Sequence, residues 1–298
     1  MKERQHWKVI ALLFAGGAIY LGALSIAYSQ AVPVAREDPV HRSDTSSGTS
    51  ICEATAPSPL KDALRQACLR KRSAMPDATV RKAVIIGFVG GFVRRDDANH
   101  PEVQFAKYLR ERYPSGVHAE VFANHDGQKA LRYVLSLLDT DADRVLTAME
   151  KEQARVMIYG HSWGASETVT LARELGRQGI PVVLTIQVDS IAKPGQKDST
   201  IPLNVARAIN FYQLRGVLHG RSTIVAADPA RTRILGNFRM TYEDRRINCD
   251  NYRWFVRVFN KPHHEIENDP RVWDQAASLI DSERSSATSR TTEAAAVK

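Results

Sequence analysis

The feature that most limits how this chain can fold is a short apolar run at residues 155–159 (RVMIY) that ends directly in Gly160-His161-Ser162-Trp163-Gly164. From residue 167 to 175 the pattern turns helical, with Gly176 as a plausible stop. A G-x-S-x-G segment between a strand and a helix demands a sharp turn with the serine in a strained backbone conformation. Bulky residues two positions to either side would collide, so glycines belong there. The turn lifts the hydroxyl above the sheet, and the helix that follows aims its unpaired N–H groups and positive dipole end at the same place. Without that strand and helix around it, the same pattern is only a Gly/Ser turn.

The rest of the chain has the matching rhythm. Strand-like runs of four to eight residues occur at 82–89, 117–123, 181–188, 222–227 and 254–259. Helical patterns lie between them, at 101–112 and through Leu131, Val134, Leu135 and Leu138. Another is expected at 204–214, where Val205, Ala208, Ile209 and Tyr212 would share one face. Short runs apolar on both faces and separated by helices predict a mostly parallel sheet covered on both sides. The expectation is therefore a three-layer α/β domain over 80–281. The 191–221 stretch serves as an ordinary crossover or as a small lid over the site.

The N-terminal end predicts the compartment. After Lys2, Arg4 and Lys8, residues 9–28 carry no charge. About 20 apolar residues suffice to cross a bilayer as a helix, and preceding positive charge favours a cytoplasmic N-terminus. Residues 1–31 are expected to act as a signal anchor or as a signal peptide cleaved near Ser29-Gln30-Ala31. In both cases the bulk of the chain lies outside the cytoplasm, and the membrane is a partner through this segment. Residues 32–79 follow as a Ser/Thr/Pro-rich linker with a short helix at 60–71, and residues 282–298 as a polar, disordered tail. Cys52, Cys68 and Cys249 are an odd set in an exported chain, so at least one is free or pairs with another molecule. The charge is 41 Lys+Arg against 33 Asp+Glu, a spread-out excess of +8 that gives no basis for a nucleic-acid partner. With 17 Gly and 13 Pro in 298 residues and 43% hydrophobic residues, collagen-like, coiled-coil and wholly disordered architectures are excluded.

The stretch VMIYGHSWGASETVTLARELG resembles the nucleophile turn of the α/β-hydrolase superfamily, and the resemblance spans roughly 80–281. It implies a Ser-acid-His order along the chain, with Ser162 as nucleophile. The base is implied on the segment KPHHEIENDP, where His263 is favoured by the H-x-E-I run that follows and His264 is the alternative. The acid is implied at a strand end. Asp189, in V-D-S-I, is favoured, and Asp228, in A-D-P, is the alternative. The oxyanion would be held by the backbone N–H groups of Trp163 and of the loop Gly87-Phe88-Val89-Gly90-Gly91, with Phe88 the favoured donor there. Phe88, Trp163 and Phe211 would supply apolar lining. The activity so implied is hydrolysis of carboxylic esters, small-molecule or lipid, by an esterase or lipase-like enzyme. A thioesterase, an amidase or a non-catalytic envelope protein on the same fold remain alternatives.

No cofactor and no metal are expected. Asp139, Asp141, Asp143 and Glu150 imitate a calcium loop, but Arg144 stands where that loop needs glycine. A helix beginning near Asp143 accounts for the acids better. No histidine pair has metal-ligand spacing apart from the adjacent His263 and His264, and no phosphate loop is present.

Overall fold

The computed structural model describes residues 83–250, 252 and 254–296. The apolar run at 9–28, the linker, the expected helix at 60–71, Cys52 and Cys68 lie outside the described residues. No described helix is long and apolar enough to cross a membrane.

The chain runs through β1 (Ala83–Val89), α1 (Pro101–Arg112), β2 (Val117–Ala123), α2 (Gly127–Leu138), α3 (Ala148–Gln153), β3 (Arg155–His161), α4 (Trp163–Arg177) and β4 (Val182–Val188). It continues through β5 (Thr200–Ile201), β6 (Val205–Tyr212), β7 (Val225–Ala226), β8 (Arg233–Arg239), α5 (Trp254–Glu267) and α6 (Pro270–Ala296). Six strands form one sheet in the order β2-β1-β3-β4-β6-β8, and every pairing is parallel.

Parallel strands need crossovers, and the crossovers cover both faces of the sheet. Side chains of β1 alternate accordingly. Val84, Ile86 and Phe88 pack with Leu131 and Val134 of α2 and Val169, Ala172 and Leu175 of α4. Ala83 and Ile85 pack on the opposite face with Phe105 and Leu109 of α1, Ile266 of α5 and Val272, Trp273 and Ala276 of α6. The three layers expected from the two-faced apolar runs are therefore present.

Several local expectations are overturned. Residues 204–214 form strand β6 rather than a helix. Val205, Ala208, Ile209 and Tyr212 match a helical stripe, but Asn210 and Phe211 between them are buried too, and β6 pairs with β4 on one side and β8 on the other. Burial on two faces erases the periodicity that separates short strands from helices. The run at 222–227 contributes only two residues, Val225–Ala226, to a separate two-stranded sheet with Thr200–Ile201. The sixth strand is instead β8, whose sequence RILGNFR is too polar to stand out. Residues 254–259 are not a strand but the first half of α5, which breaks its geometry at Asn260 (φ −127°) ahead of Pro262. The tail from Ser282, expected to be disordered, continues α6 to Ala296.

In the acidic stretch, the helix starts at Ala148 rather than near Asp143. Thr147 and Glu150 form a reciprocal cap there. Hydrogen bonds from Thr140 and Thr147 hold the Glu150 carboxyl down to about 2. Asp139, Asp141 and Asp143 accept from the backbone N–H groups of Arg144, Asp143 and Val145. Cys249 is a buried free thiol, and burial pushes it up to about 11.

Candidate active site

From β1 the chain first moves outward to β2 and then returns to the other side as β3. In open parallel sheets the crevice at such a switch point, outside the carboxyl ends of the strands, is the usual ligand site. Gly90 follows β1 and Ser162 follows β3, so both lie at that crevice.

Ser162 has φ 57° and ψ −123°, a conformation that side-chain-bearing residues rarely adopt. Its N–H donates to Val188 O (2.9 Å), and its carbonyl accepts from Ile191 N (3.2 Å) and Ser166 N (3.3 Å). The turn is thus locked to the end of β4 as well as to α4. The glycines of the motif are demanded by backbone contact. A Cβ on Gly160 would lie 2.5 Å from Gly164 O, and one on Gly164 would lie 2.3 Å from Phe88 O. Ser162 is 7% exposed, and among the described residues its hydroxyl has no hydrogen-bond partner.

Asp189 directly follows β4 and is fully buried, with φ 46°. Its carboxylate accepts four hydrogen bonds, from Gln213 N (3.2 Å), Gly220 N (2.7 Å), Gln213 Nε2 (2.8 Å) and His263 Nδ1 (2.6 Å). Such a carboxylate is fixed in orientation. It sets the tautomer of His263, because Nδ1 must carry the proton and Nε2 is left as a lone pair. His263 lies just past the α5 kink rather than on a loop, and its ring packs on His161 with centroids 4.5 Å apart.

The alternatives fall elsewhere. His264 Nδ1 donates to Glu267 Oε2 at 3.0 Å, facing a different carboxylate. Asp228 ends no strand of the main sheet; it accepts from Ala230 N at 2.9 Å and shapes a turn.

The expectation for Phe88 needs a correction. Phe88 is an interior residue of β1, matched with Phe122 on one side and Gly160 on the other, so its N–H is committed to the sheet. Its side chain is in the core, as is that of Phe211. The backbone past the ladder that comes nearest to Ser162 starts at Gly90, where a Cβ would lie 3.0 Å from Ser162 Cβ. Trp163 opens α4, and its ring meets that of Phe92 edge-on at 5.5 Å. Phe92 is 75% exposed, which leaves an aromatic rim beside the serine.

Sequence reasoning missed Gln213 and Gly220. Nothing near them marks them as partners of a residue some 24 to 31 positions away. It also missed Lys193, whose Nζ donates to Asn124 O at 2.5 Å and pairs with Glu167 at 3.3 Å. Those contacts pin the loop after β4 to the end of β2 and to α4.

Fold and site together define a parallel α/β protein with a strained serine at its switch point and a buried Asp–His pair beside it. No protein-family model matches the chain, and no curated protein matches it. Among solved structures the chain is similar to a novel cutinase-like protein from Cryptococcus sp., at 12% identity over 68% of this chain and 95% of that one, with a TM-score of 0.38. It is also similar to an acetyl xylan esterase in an iodinated complex, at 9% identity over 68% of this chain and 99% of that one, with a TM-score of 0.32. At these scores neither likeness bears on the chemistry.

Proposed function

We propose that this chain is a serine hydrolase of carboxylic esters. The observation that carries the reading is the 2.6 Å bond from His263 Nδ1 to the four-donor carboxylate of Asp189, at the same sheet edge as the strained Ser162. A serine hydroxyl becomes a useful nucleophile only when a base takes its proton. His263 Nε2 is that base. Ser162 Oγ attacks the ester carbonyl, and its proton moves to Nε2. The oxyanion is held by backbone N–H groups of Trp163 and of the 90–92 loop. Collapse of the tetrahedral intermediate expels the alcohol, which takes the proton from His263 and leaves an acyl group on Ser162. Water then repeats the sequence with His263 again as base, releasing the acid. The missing hydrogen bond to Ser162 Oγ is a common state of such sites before substrate tightens them.

The Phe92–Trp163 rim suits an apolar acyl or alcohol portion. The proposed setting is outside the cytoplasm, with the 9–28 run holding the enzyme at the membrane or having delivered it across.

A fluorophosphonate probe tests the reading directly. Digestion and mass mapping of the labelled full chain should place one adduct on the peptide that contains Ser162. An intact, folded protein that takes no label, or takes it elsewhere, defeats the assignment. Asp189→Asn should cost about 1–3 kcal/mol of stability, because its NH2 replaces an oxygen that accepts buried hydrogen bonds. It should also lower kcat by roughly 10⁴-fold, because the amide can hold the imidazole in the wrong tautomer. Steady-state kinetics on p-nitrophenyl esters of increasing chain length measures this and grades the preferred acyl group. Parallel thioester and amide substrates separate the neighbouring activities.

A further inference from the structure

Behind the nucleophile, on the α1 and α5 face of the sheet, three segments converge on a second cluster that the ester chemistry does not use. His100 precedes α1 and Glu102 lies in its first turn; His161 ends β3; Glu267 ends α5. His100 Nδ1 lies 2.6 Å from Glu267 Oε1. His161 Nδ1 lies 3.6 Å from Glu102 Oε1 and 3.6 Å from Glu267 Oε2. One ligand atom each from His100, Glu102 and Glu267 can be chosen so that all lie within 4.8 Å of one another.

The cluster is incomplete as a set of protein groups alone. Glu102 is 0% exposed, and neither of its carboxyl oxygens has a hydrogen-bond partner. Among the described residues no lysine or arginine pairs with Glu102 or Glu267. Two carboxylates removed from water beside one another stay ionised together only if positive charge compensates them; otherwise one of them keeps its proton. A divalent cation supplies that charge in full. Two imidazoles and two carboxylates are a donor set suited to zinc and related first-row ions. Ligand bonds of about 2.0–2.2 Å in a tetrahedron set ligand atoms about 3.4 Å apart, close to the 3.6 Å separations at His161, which lies outside the mutually close group of three. The 2.6 Å hydrogen bond between His100 Nδ1 and Glu267 Oε1, by contrast, must open by about 0.8 Å for both atoms to bind one ion. Outer partners are also in place. His264 Nδ1 donates to Glu267 Oε2 at 3.0 Å, and Asp97 Oδ2 lies 3.9 Å from His100 Nε2, within reach of charge attraction but too far for a hydrogen bond.

We propose that His100, Glu102, His161 and Glu267 form a divalent-metal site, zinc its best-fitting ion. It ties the start of α1 and the end of α5 to the last residue of the nucleophile strand. The ion does not touch Ser162. It steadies His161, on which His263 packs, so its role is positional. The proposal stands independently of the ester reading, since it concerns occupancy and not turnover.

The full chain, purified in detergent without a histidine tag from zinc-supplemented medium, should carry about one zinc per chain by elemental analysis. Removal by a chelator should lower Tm, and zinc or cobalt(II) should restore it. The cobalt form should show the visible absorption of a four-coordinate site. Glu102→Gln should cut the bound metal by roughly tenfold or more, whereas Asp141→Asn, in the exposed Asp139–Asp141–Asp143 group, should leave it unchanged. A metal-free protein whose Tm ignores added zinc, manganese and cobalt overturns the proposal. So does metal that survives Glu102→Gln or disappears in Asp141→Asn. If Glu102→Gln does not fold, the stoichiometry and cobalt spectrum of the wild type, with His100→Asn as second variant, decide the matter.

Discussion

Replacing Ser162 by alanine is expected to lower kcat by roughly 10⁴–10⁶-fold on any ester that the wild type turns over, with almost no change in stability. The chemical half follows from the mechanism, because without Oγ no acyl-enzyme can form and only binding and oxyanion contacts remain. The stability half follows from the structure. The Ser162 hydroxyl has no partner among the described residues, so its removal strands no buried donor or acceptor. The backbone strain at φ 57° is shared by serine and alanine alike and does not change sign. The unfolding free energy should therefore stay within about 0.5 kcal/mol of wild type. Paired kinetic and thermal-melt measurements check both halves. An alanine variant retaining a tenth of wild-type turnover would remove Ser162 from the mechanism.

Gly164→Val should have the largest effect on the fold. A Cβ at this position would sit 2.3 Å from Phe88 O and 2.7 Å from Val89 O. Both are backbone atoms of a central strand and cannot rotate aside, so α4 must move away from β1. Overpacking against rigid neighbours should cost at least about 3 kcal/mol here. For a chain of this size, at about 2–4 °C per kcal/mol, Tm should fall by roughly 6–12 °C. Gly91→Ala is the matched control: nothing lies within 4 Å of its added Cβ, although its φ is +42°. That change should cost only about 1–2 kcal/mol, from the left-handed backbone alone. Melts of the two variants should differ clearly, and a Gly164→Val protein as stable as wild type would mean the helix and strand are not in the close contact described.

These two sites were legible in the sequence because their constraints are local. The strand before Ser162, the turn and the helix after it occupy one continuous stretch, and steric rules within a few residues dictate the glycines. The buried Asp–His pair was less legible. His263 and His264 are neighbours, and only the break at Asn260 and the packing of α5 decide that His263 faces Asp189 while His264 faces Glu267. Asp189 and Asp228 both looked like strand ends, but the strand before Asp228 shrinks to two residues outside the main sheet. Phe88 was misjudged because the sequence does not reveal how far β1 stays paired; the ladder runs to Val89 and moves the exit loop onward.

What residues 83–296 determine on their own is the class of fold and the place of the strained serine turn. Apolar runs buried on two faces require a covered parallel sheet, and a cramped turn between strand and helix requires its glycines. The Asp189–His263 pairing, the Gln213 and Gly220 contacts that hold it, and the buried gathering of His100, Glu102, His161 and Glu267 were decided by tertiary structure alone. The physical reason is that hydrogen bonding and charge compensation act over a few ångströms in space. These groups come from segments up to 167 positions apart, and no periodicity in the chain records that they will meet.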